Sequence, residues 1–281
     1  MVFSLLSFRK DYIMVERSLD HKIPILTHEG VPCSEVRPLY FYKAMGEEVV
    51  NARIISFGKC NLSCPYCKRD GAFRNTDGSI VGSEEFELAE ILARIDNAIR
   101  DNQVIRLSGG DPVMFQEESI VIADYIRSKK GRLSIATNGS DPKFCGEMAK
   151  YVECAAIDLK DIPSRYGLRT NQTAGIGEEL FYRSIRSQEI LSNDGVLVDT
   201  RTPVFGSTTI DDLRLMSSNL LKIWNSNMFW TLRVYSPVDG CDWQSPKPDS
   251  VISMARQLKL ESPQLKIGMR AKWEPSGFMI L

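Results

Sequence analysis

The hydrophobic positions of this chain fall into two rhythms that alternate from residue 52 onward. Short apolar runs of strand length, over 52–57, 103–107, 133–136, 154–157, 196–198, 229–234 and 265–267, are separated by stretches with helical spacing. In the first such stretch Phe86, Leu88, Ile91, Leu92, Ile95 and Ile99 follow Ser83, which predicts a helix over 84–100 capped by Ser83. Further helices are expected over 119–130, 178–193, 210–225 and 249–259. Strands alternating with helices of this length imply βαβ crossovers and a parallel α/β sheet, with its chemistry in loops at the carboxyl ends of the strands. Residues 1–50 show no clean periodicity. They are read as an N-terminal extension packed over one main domain, 51–281, with no internal repeat.

Composition narrows the picture modestly. Of 281 residues, 43% are hydrophobic and 25% charged, which suits a globular chain with a real core. The net charge of −1 gives no global pull toward nucleic acid or an anionic membrane surface. No uninterrupted apolar stretch approaches the roughly 18 residues that span a bilayer. Residues 1–8 are apolar but short, with Arg9 and Lys10 after them, the reverse of a secretory leader. A cytoplasmic protein is expected.

The cysteines change the picture most. Cys60, Cys64 and Cys67 form a C-x-x-x-C-x-x-C loop directly after the first apolar run. Three thiolates on one loop hold three corners of an iron–sulfur cubane and leave the fourth iron open for a ligand. The competing reading is zinc, with His21, His28 or a distant cysteine as fourth ligand, in a non-enzymatic interaction protein. No second paired ligand set accompanies the loop, and the spacing favours iron–sulfur. Cys33, Cys145, Cys154 and Cys241 are scattered and read as buried, inert thiols.

The loop strongly resembles the signature of the radical S-adenosylmethionine (radical SAM) superfamily, in which an aromatic residue precedes the last cysteine; here that is Tyr66. The resemblance implies a partial (β/α)6-type TIM barrel and a [4Fe–4S] cluster on Cys60, Cys64 and Cys67 that binds S-adenosylmethionine. It further implies reductive cleavage of that cofactor to a 5′-deoxyadenosyl radical, under anaerobic conditions, with electrons from a flavodoxin- or ferredoxin-type protein.

Later peptides extend the resemblance toward the glycyl-radical-enzyme activating proteins, over roughly residues 52 to 270. Ser108-Gly109-Gly110-Asp111-Pro112 looks like the family's glycine-rich element, with Asp111 where glutamate is usual. On its own it is a tight turn; at a strand end, about forty residues after the cysteines, it is read as a cofactor contact. Thr137 and Asn138 open a T-N-G turn, although Ala136 stands where those relatives carry an acid. Asp158 and Lys160 share one side of a strand end, as a salt bridge at the barrel mouth or as ligand contacts. Arg201 is similar to an arginine that faces the cofactor's carboxylate, for which a guanidinium fork is suited. Arg233 and Tyr235 are read as structural, with a substrate-facing role as the alternative. With only Cys241 beyond Cys154, no auxiliary cluster is expected. The resemblance implies an activating-enzyme-like function, with a glycine of a partner protein as substrate; the alternative is a small nucleoside, sugar or amino-acid derivative.

Overall fold

The computed structural model describes residues 20–27, 30–33, 35–67, 80–271 and 277–281. Two strands, β1 (Lys22–Leu26) and β2 (Val36–Leu39), and a one-turn helix α1 (Phe41–Ala44) precede β3 (Val50–Phe57). Then follow β4 (Ser83–Glu87), α2 (Leu88–Arg100), β5 (Val104–Gly109), α3 (Gln116–Ser128), β6 (Arg132–Thr137), α4 (Pro142–Ala149) and β7 (Cys154–Asp158). The chain continues through α5 (Pro163–Thr170), α6 (Ala174–Asn193), β8 (Leu197–Val204), α7 (Ile210–Leu221), β9 (Met228–Val234), α8 (Pro248–Glu261), β10 (Ile267–Arg270) and β11 (Phe278–Ile280). Strands β3, β5, β6, β7, β8, β9 and β10 are neighbours in that order and all parallel, so the expected α/β barrel-type sheet is present.

Alternation along these strands divides their side chains between two environments. Ile105, Leu107, Leu133, Ile135, Ile157, Val198, Trp230 and Leu232 are buried in the main core with the helices. Their alternates, among them Arg106, Ser108, Asp158, Asp199, Arg201 and Arg233, line a central cavity of about 500 Å³.

The sheet is not extended by parallel strands alone. β1 pairs antiparallel with β4 and touches β3 through Ile25 and Phe57; β2 pairs antiparallel with the first half of β3, Leu39 opposite Val50. Beyond β2 the chain turns under the barrel. Leu39, Phe41 and Tyr42 pack with Ala52, Val104, Cys154 and Phe229, residues at the amino-terminal ends of β3, β5, β7 and β9. Tyr40 stacks on Phe278 of β11, with ring centroids 6.2 Å apart. This segment is the cavity's floor, and it reaches from one edge of the open barrel to the other.

The 84–100 helix begins later than expected. Residues 83–87 form β4, and Ser83 is no N-cap: its hydroxyl donates to Ile80 O. The helix starts at Leu88 behind a capping box in which Glu90 accepts from Glu87 N. Phe86, expected in the helix, belongs to the strand, where it pairs with Ile23 of β1.

Tyr42 tests the floor. Its ring is buried and its hydroxyl donates to Glu153 Oε1 at 2.6 Å. Tyr42→Ala is expected to lower unfolding free energy by about 3–5 kcal/mol in chemical denaturation, as for other buried aromatics. A loss below about 1 kcal/mol means that α1 does not seal the barrel.

Candidate functional site

Three turns meet at the carboxyl ends of β3, β5 and β6. The cysteine loop leaves β3, and Ser108-Gly109-Gly110-Asp111 leaves β5 directly beside it. Gly110 N donates to Phe57 O at 2.6 Å and Asp111 N to Lys59 O at 2.8 Å. The glycines make this approach feasible. A Cβ at Gly109, where φ is +100°, would lie 2.3 Å from Phe57 N, and one at Gly110 would lie 2.0 Å from Lys59 O. The sequence reading gave these glycines to a ligand; the structure also gives them the backbone that leads into the cysteines.

Asp111 joins the second turn to the third. It is 2% exposed; Oδ1 accepts from the Thr137 hydroxyl at 2.6 Å and from Val113 N at 3.1 Å, and Oδ2 accepts from Asn138 N at 2.7 Å. Asn138 Nδ2 donates in turn to Asn61 Oδ1 inside the cysteine loop, and Asn61 Nδ2 donates to Ser140 Oγ, both at 2.8 Å. Burial raises the Asp111 carboxyl from 3.8 to about 6, against the pull of its hydrogen bonds.

Within the loop, Leu62 N points at Cys60 Sγ at 3.4 Å and Cys67 N donates to Cys64 O at 3.1 Å. Burial pushes the Cys60 thiol up to about 12 and that of Cys64 to about 11. Tyr66 points away from solvent into an aromatic group, edge-on to Phe205 at 5.0 Å and beside Trp243 at 5.6 Å. The Arg169 guanidinium sits in the corner formed by those two perpendicular rings, 3.8 Å from the Phe205 centroid and 4.3 Å from that of Trp243, and is anchored by Asp161 at 2.6 Å. The Tyr66 hydroxyl is buried with no hydrogen-bond partner among the described residues.

The opposite wall is ionic. Lys160 and Asp158 form a salt bridge of 2.8 Å at the end of β7, and Lys160 Nζ lies 5.9 Å from the Tyr66 ring centroid. Burial opposes both charges, yet each holds its partner ionised: Lys160 is pushed well above its ordinary value and Asp158 below its own. Arg201 Nε donates to Asp199 Oδ2 at 2.9 Å, and Asp199 also accepts from Thr231. Asp158 and Lys160 are thus paired with each other, as the salt-bridge reading expects, and both line the cavity.

With this geometry in view, the radical SAM superfamily profile matches residues 54–206. The chain belongs to that superfamily. It is an enzyme of radical chemistry, and the zinc-protein reading falls away. It is 26% identical, over 70% of its length, to a putative glycyl-radical enzyme activating enzyme of Methanocaldococcus jannaschii, and 25% identical, over 66%, to that organism's 7-carboxy-7-deazaguanine synthase. Among solved structures, a radical SAM methyltransferase from Sphaerobacter thermophilus shares the fold over 82% of this chain, with a TM-score of 0.57 and 13% identity. The chain spans 78% and 77% of the two curated relatives and 50% to 69% of the first solved chains that it resembles.

Membership implies S-adenosylmethionine and an iron–sulfur cluster, and this radical SAM site fits both. Three thiols stand on one loop, and an orphaned tyrosine hydroxyl waits beside it. The predicted residues Cys60, Cys64, Cys67, Tyr66, Ser108, Gly109, Gly110, Asp111, Thr137, Asn138, Asp158, Lys160 and Arg201 all line the cavity. So do Arg233 and Tyr235. Cys33, Cys145 and Cys154 are buried apart from it, and Cys241 is only half-buried. His21 pairs with Glu118 at the surface, and His28 lies outside the described residues. Sequence reasoning passed over Asn61, Arg106 and Arg270. For the two arginines the signal was a cation at an inward position of an otherwise apolar parallel strand.

Two predictions follow from the turns. Gly110→Ala should displace the cysteine loop and sharply reduce iron and sulfide bound on anaerobic reconstitution; wild-type loading contradicts the packing. Because folding raises the Asp111 pKa, that group's stabilisation is present below about pH 4 and is lost as pH rises through about 6. Against non-titrating Asp111→Asn, the metal-free wild type should therefore lose about 3 kcal/mol of relative stability between pH 4 and 7. Parallel denaturation curves across that range check the sign.

Proposed function

We propose that this radical SAM enzyme holds a [4Fe–4S] cluster on Cys60, Cys64 and Cys67 and takes a hydrogen atom from a small molecule held in the barrel. When bound and reduced by an external flavodoxin- or ferredoxin-type donor, the cluster would supply the one electron that cleaves S-adenosylmethionine to a 5′-deoxyadenosyl radical and methionine. The chain's own residues bind, orient and shield. The Asp111 network fixes the cysteine loop against the two neighbouring turns, and Tyr66 offers a rigid face backed by Phe205 and Trp243. Arg201, already oriented by Asp199, presents a guanidinium suited to a carboxylate of the cofactor.

The observation that carries the small-molecule reading is the closed floor. Tyr40 and Phe41 line the bottom of the cavity, so a ligand enters from the mouth and stops against aromatic rings. A second reading, a glycyl loop of a partner protein, draws on the likeness to the putative activating enzyme and on the D-L-K segment. Deuterium transfer from labelled small molecules and from labelled glycyl peptides separates the two.

Electron paramagnetic resonance of the reduced, reconstituted protein, with and without S-adenosylmethionine, tests the centre. Cys60→Ala, Cys64→Ala and Cys67→Ala should each abolish cofactor cleavage, whereas Cys145→Ala and Cys154→Ala retain it. Full activity in any loop variant sinks the assignment. Arg201→Ala should weaken cofactor binding by about 1.5–3 kcal/mol, the worth of a hydrogen bond to a charged group. Unchanged affinity removes Arg201 from the site.

A further inference from the structure

Arg106 has no role in the site so far described. It sits in the middle of β5, opposite Ile54 of β3 and Ser134 of β6, with its side chain in the cavity wall. It is 3% exposed. Among the described residues it has no carboxylate within salt-bridge distance, and its side-chain hydrogen bond is a long one, Nη2 to Ile135 O at 3.5 Å. Three other cations of the cavity do have one: Lys160 has Asp158, Arg201 has Asp199, and Arg37 has Glu35.

A buried cation without a counterion is unfavourable, and it stays in a fold where something else supplies the opposite charge. The surroundings sharpen that demand. Arg201 stands near enough to repel Arg106, and it likewise bears on Arg233 and Arg270, so these four guanidiniums share one lumen with Arg37. Asp199 faces those four but is already bonded to Arg201 and Thr231.

Position separates Arg106 from the cofactor's end of the cavity. It precedes Gly109 by three residues, which places it about 10 Å down the strand from the turn beside the cysteines. It is therefore nearer the Tyr40–Phe41 floor than the mouth. A planar fork at that depth matches the oxygens of a carboxylate or a phosphate.

We propose that the substrate is anionic and that its carboxylate or phosphate group binds the Arg106 guanidinium near the cavity floor, beneath the cofactor. The proposal deepens the small-molecule reading and rests on it. The anchored anion fixes which end of the substrate points down, and so which carbon is presented to the radical at the mouth.

The test uses the reconstituted protein saturated with S-adenosylmethionine, titrated calorimetrically with inorganic phosphate and, separately, with malonate. At least one anion should bind with one-to-one stoichiometry, and which of them binds tells phosphate from carboxylate chemistry. Arg106→Gln should weaken that binding at least tenfold while the cofactor-induced change in the cluster's resonance signal persists. The same anion should raise the melting temperature of wild type and not of the variant. Without anion, Arg106→Gln should melt no lower than wild type, because it removes a buried charge that lacks a counterion. Should that variant not fold, Arg106→Lys, which keeps the charge and loses the fork, should still bind several-fold more weakly than wild type. The proposal is overturned if neither anion binds, or if binding is unchanged in the variant. Failure of the small-molecule reading shows up elsewhere, as deuterium transferred from labelled glycyl peptides and not from labelled small molecules.

Discussion

The mouth of this barrel hangs on one shielded carboxylate. Asp111 accepts hydrogen bonds from Thr137, Asn138 and Val113, and so it ties the end of β5 to the end of β6. Asn138 passes the connection to Asn61 between the first two cysteines. Asp111 is also the N-cap of the 3-10 turn Pro112–Phe115, and a short side chain reaches the second N–H beyond it, as N-caps do. One residue therefore caps a turn and braces a loop, which leaves neither of its oxygens idle.

The lumen imposes the opposite condition. Strands of a parallel sheet covered on both faces usually read as apolar runs. Here only the outward face does so. The inward face carries Arg106, Arg201 and Arg233 with Asp158 and Asp199, set into strands whose alternate residues pack in the main core. That outer packing holds the barrel while the inner face carries charges that no apolar core would tolerate. Charge of this density inside a fold is a statement about what the cavity contains when it works.

Legibility followed the same division. β5, β6, β7 and β9 were plain in the sequence because burial on the outer face makes short apolar runs, and turn residues close them. The cysteine loop was plain because few structures place three thiols so close in sequence. The antiparallel strands were not. β1, β2 and β11 are three to five residues long and are defined by their partners, and β4 borrowed the helical spacing of the segment behind it. α4 was missed because Gly146 interrupts a helix of eight residues, although Asp141 and Pro142 form a proper start. At the site, motif-borne residues were found and Arg106 was not, since no peptide pattern marks it. Its meaning comes from its inward position and its lack of a local counterion, and both are properties of the fold.

The segment between β2 and β3 decides what kind of vessel the barrel is. Seven parallel strands in this order leave an open seam between β3 and β10. β2 occupies the β3 side through main-chain pairing, while Tyr40 meets Phe278 on the other, with Arg270 set 5.4 Å from the same tyrosine ring. Between those anchors Phe41 and Tyr42 plug the strands' amino-terminal ends. Pairing and stacking together brace the segment that crosses the seam, and its apolar side chains give the cup its floor. In such a cup the dielectric is low, and every charge on the wall acts on the contents more strongly than it would in water. The apolar plug and the arginines above it are thus two parts of one device, since the first gives the second its reach.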